Sequence, residues 1–166
     1  MNRLVLTMLL VVTAFPANAA GGGAMFAQGR THFSLMAGNG YAYNNSYLVI
    51  GASATYYVLD GVGVGLSLEN WSGADPGITN YSPFVQYVIY QASVVQPYVG
   101  MFYRHSSVSG QPSFDSVGGR AGIYYSSGAN AYLGIGMVYE SYLDCTTAVY
   151  GSCSSTYPEI TLVFGF

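Results

Sequence analysis

The chain contains no lysine and very little charge of any kind. Charged residues make up 7% of its 166 residues and hydrophobic ones 51%, which is too little charge for the surface of an ordinary soluble domain. The four basic residues are all arginines, and seven acidic residues oppose them. Because phosphate binding requires clustered cations, this composition argues against a nucleic-acid partner.

Long hydrophobic runs are missing after the N-terminus. Residues 1–19 combine a positive start, a short apolar run and a small-residue cleavage pattern, which is typical of a secretory signal peptide. Farther along, Gly, Ser, Asn or Tyr interrupts every apolar stretch, so no transmembrane helix of about 20 residues is predicted. We therefore expect a signal peptide at 1–19, a flexible Gly-rich leader at 20–29 and one domain at 30–166.

Cysteine is scarce: Cys145 and Cys153 are the only two, and they lie in a stretch rich in Ser, Thr and Gly. In an exported chain this spacing predicts a disulfide that closes a short loop. The alternative, a metal or redox pair, would lack a nearby His and a CxxC spacing. We expect no metal site and no cofactor.

Apolar residues recur with a period of two at the C-terminus. Pro158, Ile160, Leu162, Phe164 and Phe166 alternate with a mixed set of residues, which indicates a strand with a different solvent on each side. Turn signals divide the chain into eight such segments, at about 30–40, 46–59, 62–71, 79–91, 96–107, 115–126, 130–142 and 156–166. Each is close to the roughly 9–11 residues that a tilted strand needs to cross a bilayer. The sequence thus predicts an all-β fold, an eight-stranded antiparallel up-and-down transmembrane β-barrel.

The predicted connections alternate between short turns and longer loops. This alternation is typical of the periplasmic and extracellular ends of such barrels, and it places both chain termini in the periplasm. The cysteine pair then falls in the last and longest outer loop, at 143–155.

Tyrosine is abundant, at 17 residues. Rings with a polar tip favour the headgroup level of a membrane, so we expect two aromatic girdles near the strand ends. The outer girdle would hold Tyr47, Tyr81, Tyr103, Tyr139, Tyr142 and Trp71, and the inner one Tyr56, Tyr98, Tyr125 and Phe166. Ordinary β propensity, which also favours Tyr, is the alternative.

The signal peptide, the eight alternating segments and the closing strand 159–166 with its terminal Phe166 resemble the small OmpA/OmpX-type outer-membrane barrels. The resemblance implies a monomer in the outer membrane of a Gram-negative bacterium. It also implies contact with outer-membrane lipid and lipopolysaccharide, and insertion by the barrel-assembly machinery. It is a similarity of pattern, and it identifies a class rather than one member.

The same alternation points five charged residues into the barrel, all in the outer half of their strands: Glu69, Arg104, Arg120, Glu140 and Glu159. Unpaired charge in a narrow interior is costly, so an ion-pair network is predicted. A static polar core is the favoured interpretation, and a gate in which Arg exchanges carboxylate partners is the alternative that the OmpA resemblance suggests. Acid–base catalysis by the carboxylates of Glu140 and Glu159 is disfavoured, because the arginines would keep both of them ionised.

A second constellation lies on the outward face near the outer rim: His105, Ser107 and Asp115. An outward His-x-Ser with an acid resembles the site of the barrel-type lipid A deacylases. In that family, however, the His-x-Ser lies near the chain end with a Glu on the last strand, whereas here it lies on strand five. A polar loop mouth explains the same residues and is favoured.

We therefore expect an outer-membrane barrel with a largely closed lumen and a structural or surface-interaction role through its extracellular loops. A narrow gated pore for ions or small solutes is the first alternative. A lipid A deacylase-like hydrolase of the outer leaflet is the second, so enzymatic activity is not the main expectation. His32, which alternation places inside, is expected to be a hydrogen-bonded interior residue rather than a metal ligand.

Overall fold

Eight antiparallel strands close into a barrel in the computed structural model, which describes residues 25–42, 45–90, 95–128, 130–143, 145 and 152–166. In chain order they are β1 (Thr31–Ala42), β2 (Asn45–Leu59), β3 (Val62–Ser72), β4 (Ile78–Val88), β5 (Val95–Val108), β6 (Phe114–Gly128), β7 (Ala131–Tyr142) and β8 (Ser154–Gly165). Each strand pairs with the next, and β1 pairs with β8 to close the ring. The predicted fold is confirmed, with strand limits that agree to within about three residues. The predicted signal peptide lies outside the described residues.

Side chains alternate between the lumen and the outside along every strand, as the period of two requires. In β2, for example, Val49 and Gly51 are buried inside while Leu48 and Ile50 are exposed outside. The exposed outward residues form an apolar belt that includes Leu35, Ile50, Leu66, Met101, Ile123, Ile135 and Ile160. Water-soluble monomers rarely expose apolar patches of more than a few hundred Å², so a belt around the whole barrel indicates a lipid-facing surface. Within the described residues, no helix has the length and apolar character that a membrane span requires.

The predicted girdles are partly wrong. Tyr81, Tyr103, Tyr139, Tyr56, Tyr125 and Phe166 are exposed on the outside, as a girdle requires. Tyr47, Trp71 and Tyr98 are instead buried in the lumen. Their positions in β2, β3 and β5 have the parity of the inward residues, so the strand alternation places them inside despite their ring chemistry. The fourth departure is Tyr142, which is half-buried and packs edge-on against Phe114.

Large rings and glycines fill the lumen together. Gly118 lies directly under the ring of Phe102, and a Cβ at this position would overlap the ring and lie 2.5 Å from the Tyr139 carbonyl oxygen. Phe84 covers Gly65 in the same way. An eight-stranded barrel has an interior just wide enough for side chains, so each large ring requires a neighbouring residue that has no side chain. The buried apolar residues form two clusters, one in each half of the barrel.

Residues Met25–Arg30, the N-terminal segment, precede β1 and enter the lumen at the end where the short turns lie. Phe26 is 1% exposed and belongs to the buried cluster of that half. The predicted flexible leader therefore ends in a packed segment, while residues 20–24 lie outside the described part of the chain. Sequence reasoning gave Phe26 no role.

Candidate functional site

Arg104 on β5 is the centre of the long-loop half of the lumen. Its Nη2 donates to Glu69 Oε1 at 2.7 Å, and its Nη1 donates to Glu140 Oε2 at 2.6 Å and to the Tyr157 hydroxyl at 2.7 Å. Its Nε donates to Ser82 Oγ at 3.1 Å. The residue is 1% exposed. Each guanidinium nitrogen thus has a partner, and a buried charge is tolerated only under that condition.

The two carboxylates around Arg104 have further donors. Glu140 accepts hydrogen bonds from Ser116 and, at 2.9 Å, from the Tyr157 hydroxyl. Glu69 accepts one from the Trp71 indole at 3.3 Å. We call Glu69, Arg104 and Glu140 with these donors the upper network. Sequence reasoning found the charged members of the upper network but missed the neutral ones. The neutral donors also have inward parity and lie at the same height along the barrel axis, which was the available signal.

Arg120 and Glu159 form a separate pair below the upper network. Arg120 Nη1 lies 3.5 Å from each of the Glu159 carboxylate oxygens, and its Nε and Nη2 have no hydrogen-bond partner among the described residues. The ring of Phe102 lies between the two arginines, 4.8 Å from the Arg104 guanidinium carbon and 5.2 Å from that of Arg120. The structure therefore places all five predicted residues inside, but divides them into two groups.

The short-turn half of the lumen is aromatic. Tyr98 and Tyr124 stack with ring centroids 4.3 Å apart, and Phe26 stacks on Tyr124 at 5.7 Å. Gln86 donates to the Tyr57 hydroxyl at 2.8 Å. His32 Nε2 donates to the Met25 carbonyl oxygen, also at 2.8 Å, so this histidine is a hydrogen-bonded interior residue. Packed side chains thus occupy both halves of the described lumen.

His105 and Asp115 meet on the outer surface near the long-loop end. They are directly opposite each other on β5 and β6, and His105 Nδ1 donates to Asp115 Oδ1 at 2.7 Å. Their side chains are 47% and 40% exposed. Ser107 lies two residues farther along the same outward face and opposite Thr79 on β4, and no hydrogen bond links it to His105 in the described part of the chain. The structure thus joins two of the three candidates and leaves the third adjacent.

Cys145 and Cys153 form the predicted disulfide. Next to it, the Tyr142 backbone N–H donates to the Cys153 carbonyl oxygen at 2.9 Å, and the Leu143 N–H donates to that of Asp115 at 2.8 Å. The bridge therefore closes the base of the β7–β8 loop, most of which lies outside the described residues. No group of three or more His, Cys, Asp or Glu suited to a metal ion occurs where the structure describes the chain.

No protein-family model and no curated protein sequence matches this chain. Solved structures do match it. The N-terminal β-barrel domain of Pseudomonas aeruginosa OprF superposes with a TM-score of 0.67 at 16% identity, covering 84% of this chain and 98% of that one. Neisserial surface protein A (NspA) superposes with a TM-score of 0.59 at 16% identity, covering 82% and 96%. This chain has the fold of the small outer-membrane barrels.

A designed transmembrane β-barrel also matches, with a TM-score of 0.55 at 13% identity over 84% of this chain and 97% of the design. The shared fold and the apolar belt together place this barrel in the bacterial outer membrane. The alternation of short turns and long loops predicts that the short-turn end is periplasmic and that the long-loop end faces outward. At such identities the similarity is one of fold, and function has to be argued from the sites.

Proposed function

We propose that this outer-membrane barrel has a closed lumen and acts at its outer surface, by stabilising the membrane or by presenting its loops to partners outside the cell. The upper network carries this proposal. Arg104 holds Glu69 and Glu140 in the outer half of the lumen, where all three are buried and hydrogen-bonded. Such an arrangement suits a permanent closure of the barrel.

Opening a path through the upper network would separate buried charges. Removing one partner of a buried ion pair costs about 3–5 kcal/mol, because the remaining charge is left uncompensated. Here two pairs share Arg104, and Tyr157 and Ser82 also bind it. A static closure is therefore favoured over a gate that exchanges partners on a rapid timescale.

The outer surface offers a fixed feature for contact. The disulfide closes the base of the β7–β8 loop at the outward end, and tethering reduces the entropy that a loop loses when it binds a partner. Loops on a rigid scaffold are where barrels of this kind can carry specificity. The disulfide thus supports a role for this loop in surface interaction.

Complementation of a deletion strain tests the proposal and distinguishes its two roles, membrane stabilisation and contact through the loops. One strain receives the wild-type chain and another receives a chain whose residues 146–151 are replaced by Gly and Ser. If the barrel stabilises the membrane, the deletion increases uptake of a hydrophobic dye and both chains reverse the increase. If the loop serves contact, only the wild-type chain restores the attachment of cells to a surface. A deletion that changes neither readout would contradict the proposal.

A second candidate is an outer-leaflet lipid hydrolase, and the His105–Asp115 hydrogen bond favours it. An acid that binds Nδ1 of a histidine leaves Nε2 available as a general base toward a serine, here Ser107. Water would then cleave an acyl ester of a lipid in the outer leaflet. Mass spectra of lipid A should lose the deacylated species in a Ser107→Ala strain and keep it in a matched Ser109→Ala strain. Spectra that are identical in all strains would remove this candidate.

A further inference from the structure

The N-terminal segment occupies a chamber in the periplasmic half of the lumen. Phe26 lies edge-on to the rings of His32, Tyr57 and Tyr132, with centroids 5.2, 5.7 and 5.1 Å away, and stacks on Tyr124. Its own exposure is 1%. These rings belong to β1, β2, β6 and β7, so the chamber is built from across the barrel while its occupant comes from outside the strands.

Hydrogen bonds to β1, to β2 and to the β2–β3 turn hold the segment in place. The Phe26 carbonyl oxygen accepts from the Gly61 N–H and the Met25 carbonyl oxygen accepts from His32, while the Gln28 N–H donates to Asp60 Oδ1. Between these residues and β1 lies Gly29, with a φ of 84°. Its N–H donates to the Tyr57 carbonyl oxygen at 2.8 Å, and the Tyr57 N–H donates to the Arg30 carbonyl oxygen at 2.9 Å. Glycine adopts this left-handed conformation without steric cost, and it can leave it as easily. A rotation about Gly29 that breaks its bond to Tyr57 would withdraw the segment from the lumen.

We propose that the periplasmic half of the lumen is a binding chamber for one small, flat, apolar ring, and that Phe26 is its built-in occupant. The His32 and Tyr rings supply faces and edges for such a guest. The lumen charges lie farther outward, where Arg120 is shielded by Phe84 and Phe102. With the N-terminal segment withdrawn about Gly29, a monocyclic aromatic solute from the periplasm takes the place of Phe26.

Comparable chemistry supports the class of ligand. A cavity of about 150 Å³ that is lined by apolar side chains stays dry and binds benzene. Removing the Phe26 ring leaves a space of the shape of one phenyl group, enclosed by rings on several sides. Charged or strongly hydrated solutes would lose their water there without a compensating partner.

Accessibility of a thiol placed behind Phe26 tests the proposal. Ser34 faces the lumen next to His32, is buried, and lies one inward position farther from the periplasmic mouth. Both native cysteines are in the disulfide, so Ser34→Cys supplies the only free thiol of the chain. Maleimide labelling of the folded barrel is then compared in three backgrounds: unchanged, Phe26→Ala and Phe33→Ala. Phe33 is the matched control, because it is a neighbouring ring that faces outward and contacts Phe166.

The proposal predicts a rise in labelling rate of about tenfold or more with Phe26→Ala, because the closed state that protects the thiol is lost. It predicts no change with Phe33→Ala. Toluene should return the Phe26→Ala rate toward the original one, since it fills the vacated place. Should Phe26→Ala fail to fold, Phe26→Leu is used, with a smaller rise and the same toluene effect expected.

Equal labelling in all backgrounds would mean that Phe26 does not close the chamber. A rise that toluene leaves unchanged would mean that the chamber does not bind a ring. Either result overturns the proposal. Neither result bears on the upper network, which stands between this chamber and the outside, so failure here is distinguishable from failure of the closed-lumen function.

Discussion

Arg104 and Arg120 show how the same residue type acquires two different roles in one lumen. Arg104 lies within 2.7 Å of two carboxylates, whereas Arg120 is 3.5 Å from its one carboxylate and leaves two of its nitrogens without a partner in the described part. Both guanidiniums lie over Phe102. Because short charge-assisted bonds are about twice as strong as ordinary ones, the stability of the lumen depends mainly on Arg104.

Replacing Arg104 by methionine should lower the free energy of unfolding by about 3–5 kcal/mol, because Glu69 and Glu140 are left buried without a counter-charge. Arg120→Met is the matched control and should cost less than half as much, since its contact with Glu159 is long. Urea unfolding of both variants in lipid vesicles measures the difference. Equal losses would contradict the assignment of Arg104 as the central residue.

The packing of rings over glycines makes an equally local prediction. Gly118→Ala should destabilise the barrel by about 1–3 kcal/mol, because the added Cβ would overlap the Phe102 ring and a backbone oxygen. Gly119→Ala is the adjacent control: its Cβ would lie 3.6 Å from the nearest atom, in ordinary contact. The same urea titration reports both, and a Gly119 variant as unstable as the Gly118 variant would reject the packing explanation.

For single residues, the sequence predicts which face of the barrel wall a side chain occupies better than it predicts which residues that side chain contacts. Alternation alone put Glu69, Arg104 and Glu159 inside, because parity is a property of one strand. Which charges meet depends on the height of each residue along the barrel axis, and that height follows from the stagger of all eight strands. The separation of Arg120 from Arg104 by Phe102 could not be read from a single strand.

Strands were the most predictable elements of this chain. Alternation and turn signals gave their number, order and approximate limits, since each crossing has to match the thickness of the bilayer. Two errors remain instructive. Ring chemistry predicts Tyr47, Trp71 and Tyr98 in the girdles, whereas their parity along the strands points inward, where the structure has them. The burial of Phe26 is not predictable from the sequence, because a short packed segment has no hydrophobic periodicity.

The outward face of β3 tests the position of the strands in the membrane. Leu66→Arg, at mid-strand, should cost about 2–4 kcal/mol in vesicle refolding equilibria, because the charge enters hydrocarbon. Asn70→Arg, on the same face near the outer end, should cost only about 0–1 kcal/mol. Similar costs at the two positions would show that the strand does not cross the bilayer as described.

The disulfide acts on one element, the β7–β8 loop. A double Cys145→Ala, Cys153→Ala variant should unfold with a free energy lower by about 2–3 kcal/mol, because the unfolded chain regains the entropy of an open loop. A reducing agent should destabilise the wild-type chain by a similar amount and leave the variant unaffected. Destabilisation of the variant by the reducing agent would point to a cause other than this bridge.

At the scale of the whole molecule, fold and function separate. OprF, NspA and a designed barrel all superpose on this chain at 13 to 16% identity, so the architecture by itself selects no activity. The lumen of this barrel is filled by the upper network in its long-loop half and by Phe26 among rings in its short-turn half. The proposed role at the outer surface rests on these two closures in series.

Single-channel recording of the purified, folded wild-type barrel in planar bilayers tests the closed lumen most directly. The two closures predict a silent membrane at voltages of either sign, because no described side chain of the upper network can leave without exposing a buried charge. Stable conductance steps that depend on the folded barrel would contradict the closed lumen and favour a gated pore instead.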